Sequence, residues 1–256
     1  CGAIIGKKIG PLFRSNNKIQ SNLSNSNIGI SQEDRKSIIE NMWSNYGRIL
    51  SEYVYLKKFR NNDLNQFIEI EGLNYLYEIK NNNEQAVFIS GHFNNFELMA
   101  MEIEKAGINL CAIYRPLNNP FLNIIMEYIR KNYICRNQIK KGKSGTRELL
   151  NLFKKDFSVA LMIDQRVSEG EGIDLFNRSA KTTTIPAQLV KKYDCSIVPV
   201  YIERVRNYHF KLYFKKPLKF KDNSSHKQIT FELNKVLEKM ILKNPDQWIW
   251  SHDRWK

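Results

Sequence analysis

Apolar and polar positions change period along the chain, and each change marks an element. Ser31-Gln32-Glu33-Asp34 is a capping box, with Ser31 at the N-cap and Asp34 in place of the usual Glu or Gln. After it, apolar side chains fall at Ile38, Ile39, Met42, Trp43, Tyr46, Ile49, Leu50 and Tyr53, the period of a helix with a wide apolar face. Residues 1–60 are therefore expected as a helical N-terminal segment that packs on the body or lies against a membrane. Within it, residues 14–30 are rich in Asn and Ser and poor in apolar side chains, and they predict a polar loop.

From residue 66 onward, strand and helix patterns alternate. Gln66–Ile70 reads as a strand and Gly72–Asn81 as a helix. Ala86-Val87-Phe88-Ile89 is a buried strand, followed by a helix that closes at Gly107. Asn109–Tyr114 is the next strand; Asn118–Asn132 and Ser144–Lys155 are helices; Ser158–Ile163 is a buried strand. Thr184–Tyr193 reads as a helix, Ser196–Ile202 as a strand, Tyr208–Lys215 as an edge strand, and Gln228–Lys243 as a late amphipathic helix. This rhythm predicts an α/β fold over residues 61–256: a mostly parallel central sheet flanked by helices on both faces, in one domain with the N-terminal segment.

At 256 residues the chain can bury a full core. Lys and Arg exceed Asp and Glu by 40 − 26 = 14, which favours an anionic partner: nucleic acid, an anionic membrane surface or a phosphorylated substrate. The four cysteines, Cys1, Cys111, Cys135 and Cys195, show neither disulfide-framework nor zinc-ligand spacing, and Cys111 and Cys195 lie in apolar runs that predict buried thiols in a reducing compartment. The opening Cys1-Gly2-Ala3-Ile4-Ile5-Gly6-Lys7-Lys8 is too short and interrupted to span a bilayer. It fits a fragment whose upstream anchor is lost, or the start of a processed lipoprotein; the cytoplasmic character of the rest favours the fragment.

The candidate chemistry lies at strand ends, where open α/β sheets bind ligands. His92 follows the strand ending at Ile89-Ser90, and Glu97 sits in the first turn of the next helix, with Asn94 and Asn95 as natural caps. In one continuous helix His92 and Glu97 would diverge by about 140°. A tight loop instead returns the carboxylate to the imidazole, orients it and raises its basicity, as suits removal of a proton from a substrate hydroxyl. Tyr114-Arg115-Pro116 follows another strand, Arg130 lies on the helix beyond it, and Asp164-Gln165-Arg166 follows Ile163. Together they place an acid–base pair, two guanidinium groups and a carboxylate on one rim. Asp164 there pairs with an arginine or helps to position a donor.

Rival motifs fail. Lys141-Gly142-Lys143-Ser144 resembles part of a phosphate loop, but the required Gly at 137 is Asn137. There is no G-x-S-x-G elbow. A basic nucleic-acid-binding module would account for the charge but not for the His/Glu rim.

The ordered set Gly91-His92-(x4)-Glu97, Tyr114–Pro120, Arg130, Asp164-Gln165, Lys181–Thr184 and Trp248–Lys256 resembles the bacterial lipid A biosynthesis late acyltransferases of the lauroyl and myristoyl type, within the glycerol-phosphate acyltransferase-like superfamily. The resemblance covers nearly the whole chain, including Asn22-Leu23 and the helix after Ser31. It implies a glycerol-3-phosphate acyltransferase-like fold. It also implies transfer of a fatty acyl chain from an acyl carrier protein or acyl-CoA thioester to a hydroxyl of a lipid A precursor or related anionic glycolipid. A lysophospholipid or aminolipid acceptor is the alternative. By the same resemblance His92 is the general base and Glu97 orients it, while Arg115, Arg130 and Asp164 serve substrate binding. The chemistry needs no metal, cofactor or covalent intermediate. It would run at the cytoplasmic face of the bacterial inner membrane, with the chain peripheral there or held by a missing N-terminal segment, and with no nucleic acid as partner.

Overall fold

The computed structural model describes residues 1–26 and 28–256. Three helices open the chain: α1 (Gly2–Phe13), α2 (Asn16–Asn25) and α3 (Gln32–Glu52). Ser31 caps α3 by accepting from the Asp34 N–H at 3.1 Å, and its hydroxyl donates to the Asp34 carboxylate at 2.6 Å. α1 packs on α3 through glycines. A Cβ at Gly6 would overlap the backbone of Trp43 and Gly47, and one at Gly47 would overlap that of Gly2 and Gly6. The two helices therefore approach closer than ordinary side chains allow.

Within the polar stretch expected as a loop, Asn16–Asn25 form the helix α2, while 28–30 are without regular structure; Asn27 alone lies outside the described residues. Ile19 and Leu23, one turn apart, are buried. Between them Asn22 Nδ2 donates to the carbonyls of Trp250 and His252, both at 2.9 Å. Two apolar anchors and one satisfied amide outweigh a composition that favours turns.

The body then alternates. After the short α4 (Leu56–Arg60) come β1 (Ile68–Glu71), α5 (Leu73–Asn81), β2 (Ala86–Ser90), α6 (Glu97–Lys105), β3 (Leu110–Tyr114) and α7 (Pro120–Ile129). α7 runs into a π-helical turn over Arg130–Ile134. Next are β4 (Asn137–Lys140), α8 (Lys143–Phe153), β5 (Ser158–Met162), β6 (Glu171–Leu175), β7 (Arg178–Thr182), α9 (Ile185–Tyr193), β8 (Ser196–Arg206), β9 (His209–Phe214) and α10 (His226–Lys243). Seven strands form one sheet in the order β1-β9-β8-β2-β5-β3-β4. From β8 to β4 the pairing is parallel; β9 runs antiparallel to β8, and β1 parallel to β9. The sheet is thus mostly parallel and flanked by helices, as the alternation predicts. β2 is buried at all five positions, as expected for a strand covered on both faces.

Four strands differ from the sequence reading. Tyr208–Lys215 is no edge: β9 lies between β1 and β8. β4 escapes the pattern because Asn137, Gln138 and Lys140 surround its one buried residue, Ile139. The hairpin β6–β7 turns on Phe176-Asn177, both at positive φ (54° and 58°). That turn usually carries Asn-Gly, so its sequence signal is hidden. The hairpin packs on α10, where Glu238 accepts the Phe176 N–H at 2.6 Å and Asn234 donates to the Asp174 carbonyl at 2.9 Å.

Candidate functional site

Sheet register brings the first two groups together. β2 and β5 pair in parallel with Ser90 opposite Met162. Two residues beyond each lie His92 and Asp164. The Asp164 carboxylate accepts from the His92 backbone N–H at 2.7 Å and lies 2.8 Å from ring Nδ1. Trp248 Nε1 donates to the same carboxylate at 2.9 Å. Gly91 makes room: a Cβ there would stand 3.2 Å from the Asp164 Cβ and 2.9 Å from the Phe93 ring.

With Nδ1 donating to Asp164, Nε2 is the lone-pair nitrogen. Gln165 Nε2 lies 3.5 Å from it, beyond ordinary hydrogen-bond length. The His92 side chain keeps 19% of its surface exposed, while that of Asp164 keeps none. Burial by itself would lower the His92 pKa; the Asp164 carboxylate outweighs burial and, helped by the Glu97 charge, raises it above the ordinary value. Burial pushes the other way on Asp164, but His92 and the Trp248 N–H hold it below the usual carboxylate range.

Glu97 has different partners. It opens α6, is buried, and accepts from Arg130 Nε at 3.0 Å and from a terminal Arg130 nitrogen at 2.7 Å. The Tyr53 hydroxyl, just past α3, donates to the same oxygen. The carboxylate on the imidazole is therefore that of Asp164, while Glu97 holds Arg130 and influences His92 through its field. Arg130 is 15% exposed, stacks over the Tyr114 ring at 5.9 Å, and is held charged because Glu97 outweighs its burial. Arg115 is exposed at the end of β3 and makes no hydrogen bond or ion pair among the described residues.

The loop between His92 and Glu97 is braced rather than capped. α6 has Phe96 at its N-cap and no side-chain cap there. Asn94, at φ 40°, donates to Gln247 at 2.7 Å and accepts from Arg204 at 2.9 Å. Asn95 donates to Glu52 at 2.9 Å, and Glu52 pairs with Arg204 at 2.7 Å. The N–H groups of Phe93, Asn94 and Asn95 donate to Gly91 O, Gln247 O and Asn94 Oδ1. Those of Phe96 and Glu97 find no acceptor among the described residues.

Sequence reasoning assigned no role to Tyr53, Trp248, Arg204 or Glu52. Tyr53 belongs to the apolar period of α3, which disguises its hydroxyl. Lys181 and Thr182 anchor the C-terminal tail: Arg254 donates to the Lys181 carbonyl at 2.8 Å and to the Thr182 hydroxyl at 2.7 Å. Burial lowers the Arg254 pKa to about 10. The described residues hold no group of three or more His, Cys, Asp or Glu able to take a metal ion.

The family model described as bacterial lipid A biosynthesis acyltransferase matches residues 1–256. The lipid A biosynthesis palmitoleoyltransferase of Escherichia coli (strain K12) is 24% identical over 98% of this chain and 84% of its own. The lipid A biosynthesis lauroyltransferase of the same strain is 23% identical over 88% of this chain and 73% of its own. Among solved structures, the 1-acyl-sn-glycerophosphate acyltransferase PlsC of Thermotoga maritima aligns over 97% of this chain and 96% of its own, at 12% identity and a TM-score of 0.46.

Proposed function

Because this chain belongs to the bacterial lipid A biosynthesis acyltransferase family, we propose that it moves a fatty acyl group from a thioester to a hydroxyl of a lipid A precursor or related glycolipid, with His92 as general base. The donor is an acyl carrier protein or acyl-CoA thioester. The observation that carries the reading is the Asp164–His92 pair at 2.8 Å, which leaves Nε2 open at the carboxyl end of a parallel sheet.

Nε2 takes the proton of the acceptor hydroxyl as its oxygen attacks the thioester carbon. The C–O bond forms, the carbonyl becomes an oxyanion, and the C–S bond then breaks as the imidazolium returns the proton to the leaving thiolate. Asp164 fixes the tautomer and stabilises the imidazolium. The unengaged N–H groups of Phe96 and Glu97, at the positive end of α6, are placed to receive the oxyanion. Glu97 and Tyr53 hold the Arg130 fork rigid. Its remaining amino group is available to an acceptor phosphate or carboxylate, and Arg115 offers a second cation at the rim.

The same reading places the chain at the cytoplasmic face of the bacterial inner membrane. It is supported by the net charge of +14 and by exposed Ile4, Ile5, Leu12 and Phe13 on α1. No helix among the described residues is long and apolar enough to cross a membrane. The test is incubation of purified protein with acyl carrier protein or CoA thioesters and a lipid A precursor, read by mass spectrometry. One added acyl chain with release of one thiol is expected. A folded protein that acylates lysophospholipid and not the precursor would move the acceptor to the alternative class.

A further inference from the structure

The helix α7 is amphipathic in the wrong sense for a water-exposed surface. Not one of its ten residues is buried. Phe121 is 79% exposed and Ile124 67%, and Leu122, Ile125 and Tyr128 are exposed beside them. Its polar residues turn toward the protein instead. Asn123 accepts the Leu117 N–H at 2.8 Å and donates to Glu127 at 2.8 Å, and Glu127 accepts the Tyr114 hydroxyl at 2.6 Å. A surface helix normally shows the opposite arrangement, with its apolar stripe on the core.

The surroundings name the medium that this face fits. Between residues 115 and 143 the chain exposes six cations, Arg115, Lys131, Arg136, Lys140, Lys141 and Lys143. The one carboxylate in that span is Glu127, already bonded to Tyr114, Asn123 and Lys140. An apolar helix flanked in sequence by exposed cations, with Lys140 paired to its Glu127, matches the acyl boundary and anionic headgroups of a bilayer. An acidic protein would satisfy the cations and leave five large apolar side chains without cover.

We propose that α7 docks this protein on anionic membrane, its outer face seated in the headgroup region and its C-terminal end delivering Arg130 to the lipid surface. Arg130 follows Ile129 directly and carries the bonds to Glu97, so docking through α7 sets the catalytic rim against the bilayer. Tyr53, which bonds Glu97, is followed by Val54 and Tyr55, both exposed apolar side chains close in sequence to the site. The proposal rests on the acyl-transfer reading only for what docking is for; the docking itself is independent of turnover.

The experiment is co-sedimentation of the full chain, without acyl donor, on phosphatidylglycerol and phosphatidylcholine vesicles. Wild type should bind phosphatidylglycerol vesicles, less so as salt rises. The double variant I124E/I125E should lose about tenfold or more of that binding. Leu242→Glu, an exposed apolar position on α10, should bind like wild type. As a second readout, Phe121→Cys in a Cys1→Ser background, labelled with a polarity-sensitive dye, should shift to the blue on phosphatidylglycerol vesicles. Docking is overturned if wild type binds neither vesicle, if I124E/I125E binds like wild type, or if the dye does not shift. It is equally overturned if I124E/I125E loses an acidic carrier protein and keeps the vesicles. A chain that docks but transfers no acyl group refutes the reaction and leaves the docking intact.

Discussion

Asp164 grips His92 at two atoms: its carboxylate accepts the backbone N–H at 2.7 Å and lies 2.8 Å from ring Nδ1. A single acid thereby fixes both where the residue sits and which way its ring faces. Because Trp248 bonds the same carboxylate, the C-terminal segment takes part in holding the base. Asp164 is fully buried yet satisfied, as a low-dielectric carboxylate must be to stay ionised.

Asp164→Asn should keep the protein folded and reverse the tautomer preference at Nδ1. Loss of kcat/KM by about three to four orders of magnitude is expected, by analogy with the orienting acid of serine hydrolases. Steady-state kinetics on protein with an unaltered far-ultraviolet spectrum checks this.

The pH dependence follows from the raised His92 pKa. A general base must be neutral, so kcat/KM should fall on the acid side with an apparent pKa above the ordinary value of about 6.5. In Asp164→Asn, burial acts on the imidazole unopposed by that carboxylate, and the limb should move to lower pH. The stability consequence has the opposite sense. The folded pKa of His92 exceeds the unfolded one, so the pairing stabilises fully below about pH 6.5 and fades as pH rises through the folded value. Urea unfolding of wild type and His92→Gln across that range should converge at the alkaline end.

Arg130→Lys should cost about tenfold or more in kcat/KM, because an ammonium cannot reproduce two N–H bonds to Glu97 and still reach substrate. Tyr53→Phe removes one hydrogen bond to a buried carboxylate, an interaction typically of about 1.5–3 kcal/mol. If Tyr53 positions the pair, the two substitutions should be non-additive in kcat/KM. Additive losses would place Tyr53 outside the Arg130 unit.

Part of the geometry around His92 is legible in the sequence. His92, Asp164 and the β2 and β5 strands carry local signals: apolar runs that stop at a polar residue. Which groups touch depends on strand order, and sequence position does not encode it. β5 is inserted between β2 and β3, so Asp164 lands beside His92 although they lie 72 positions apart. Glu97 is only five residues from His92, but α6 begins at Glu97 and turns the carboxylate toward Tyr53 and Arg130. The Asn-rich α2 and the Phe176-Asn177 turn were hidden for a related reason: the contacts that stabilise them come from the C-terminal segment and α10.

The N-terminal helices make a separate prediction. Gly47→Leu should force α1 away from α3, since a Cβ alone already overlaps the backbone of Gly2 and Gly6. Overpacking of this kind costs about 1–3 kcal/mol. Loss of protease resistance in the α1 segment, with the body intact, is the expected readout.

If the open nitrogen of His92 takes the acceptor proton, His92→Ala removes the base itself. Alanine keeps the backbone N–H, and with the Trp248 indole N–H it still holds Asp164 Oδ2, so the variant should fold. Wild type and variant would be given acyl thioester and lipid A precursor, with product read by mass spectrometry and folding by thermal melt. A melting temperature within a few degrees of wild type and a loss of acyl transfer of about a thousandfold or more are expected. A folded His92→Ala protein that acylates the precursor at the wild-type rate would contradict that role for His92.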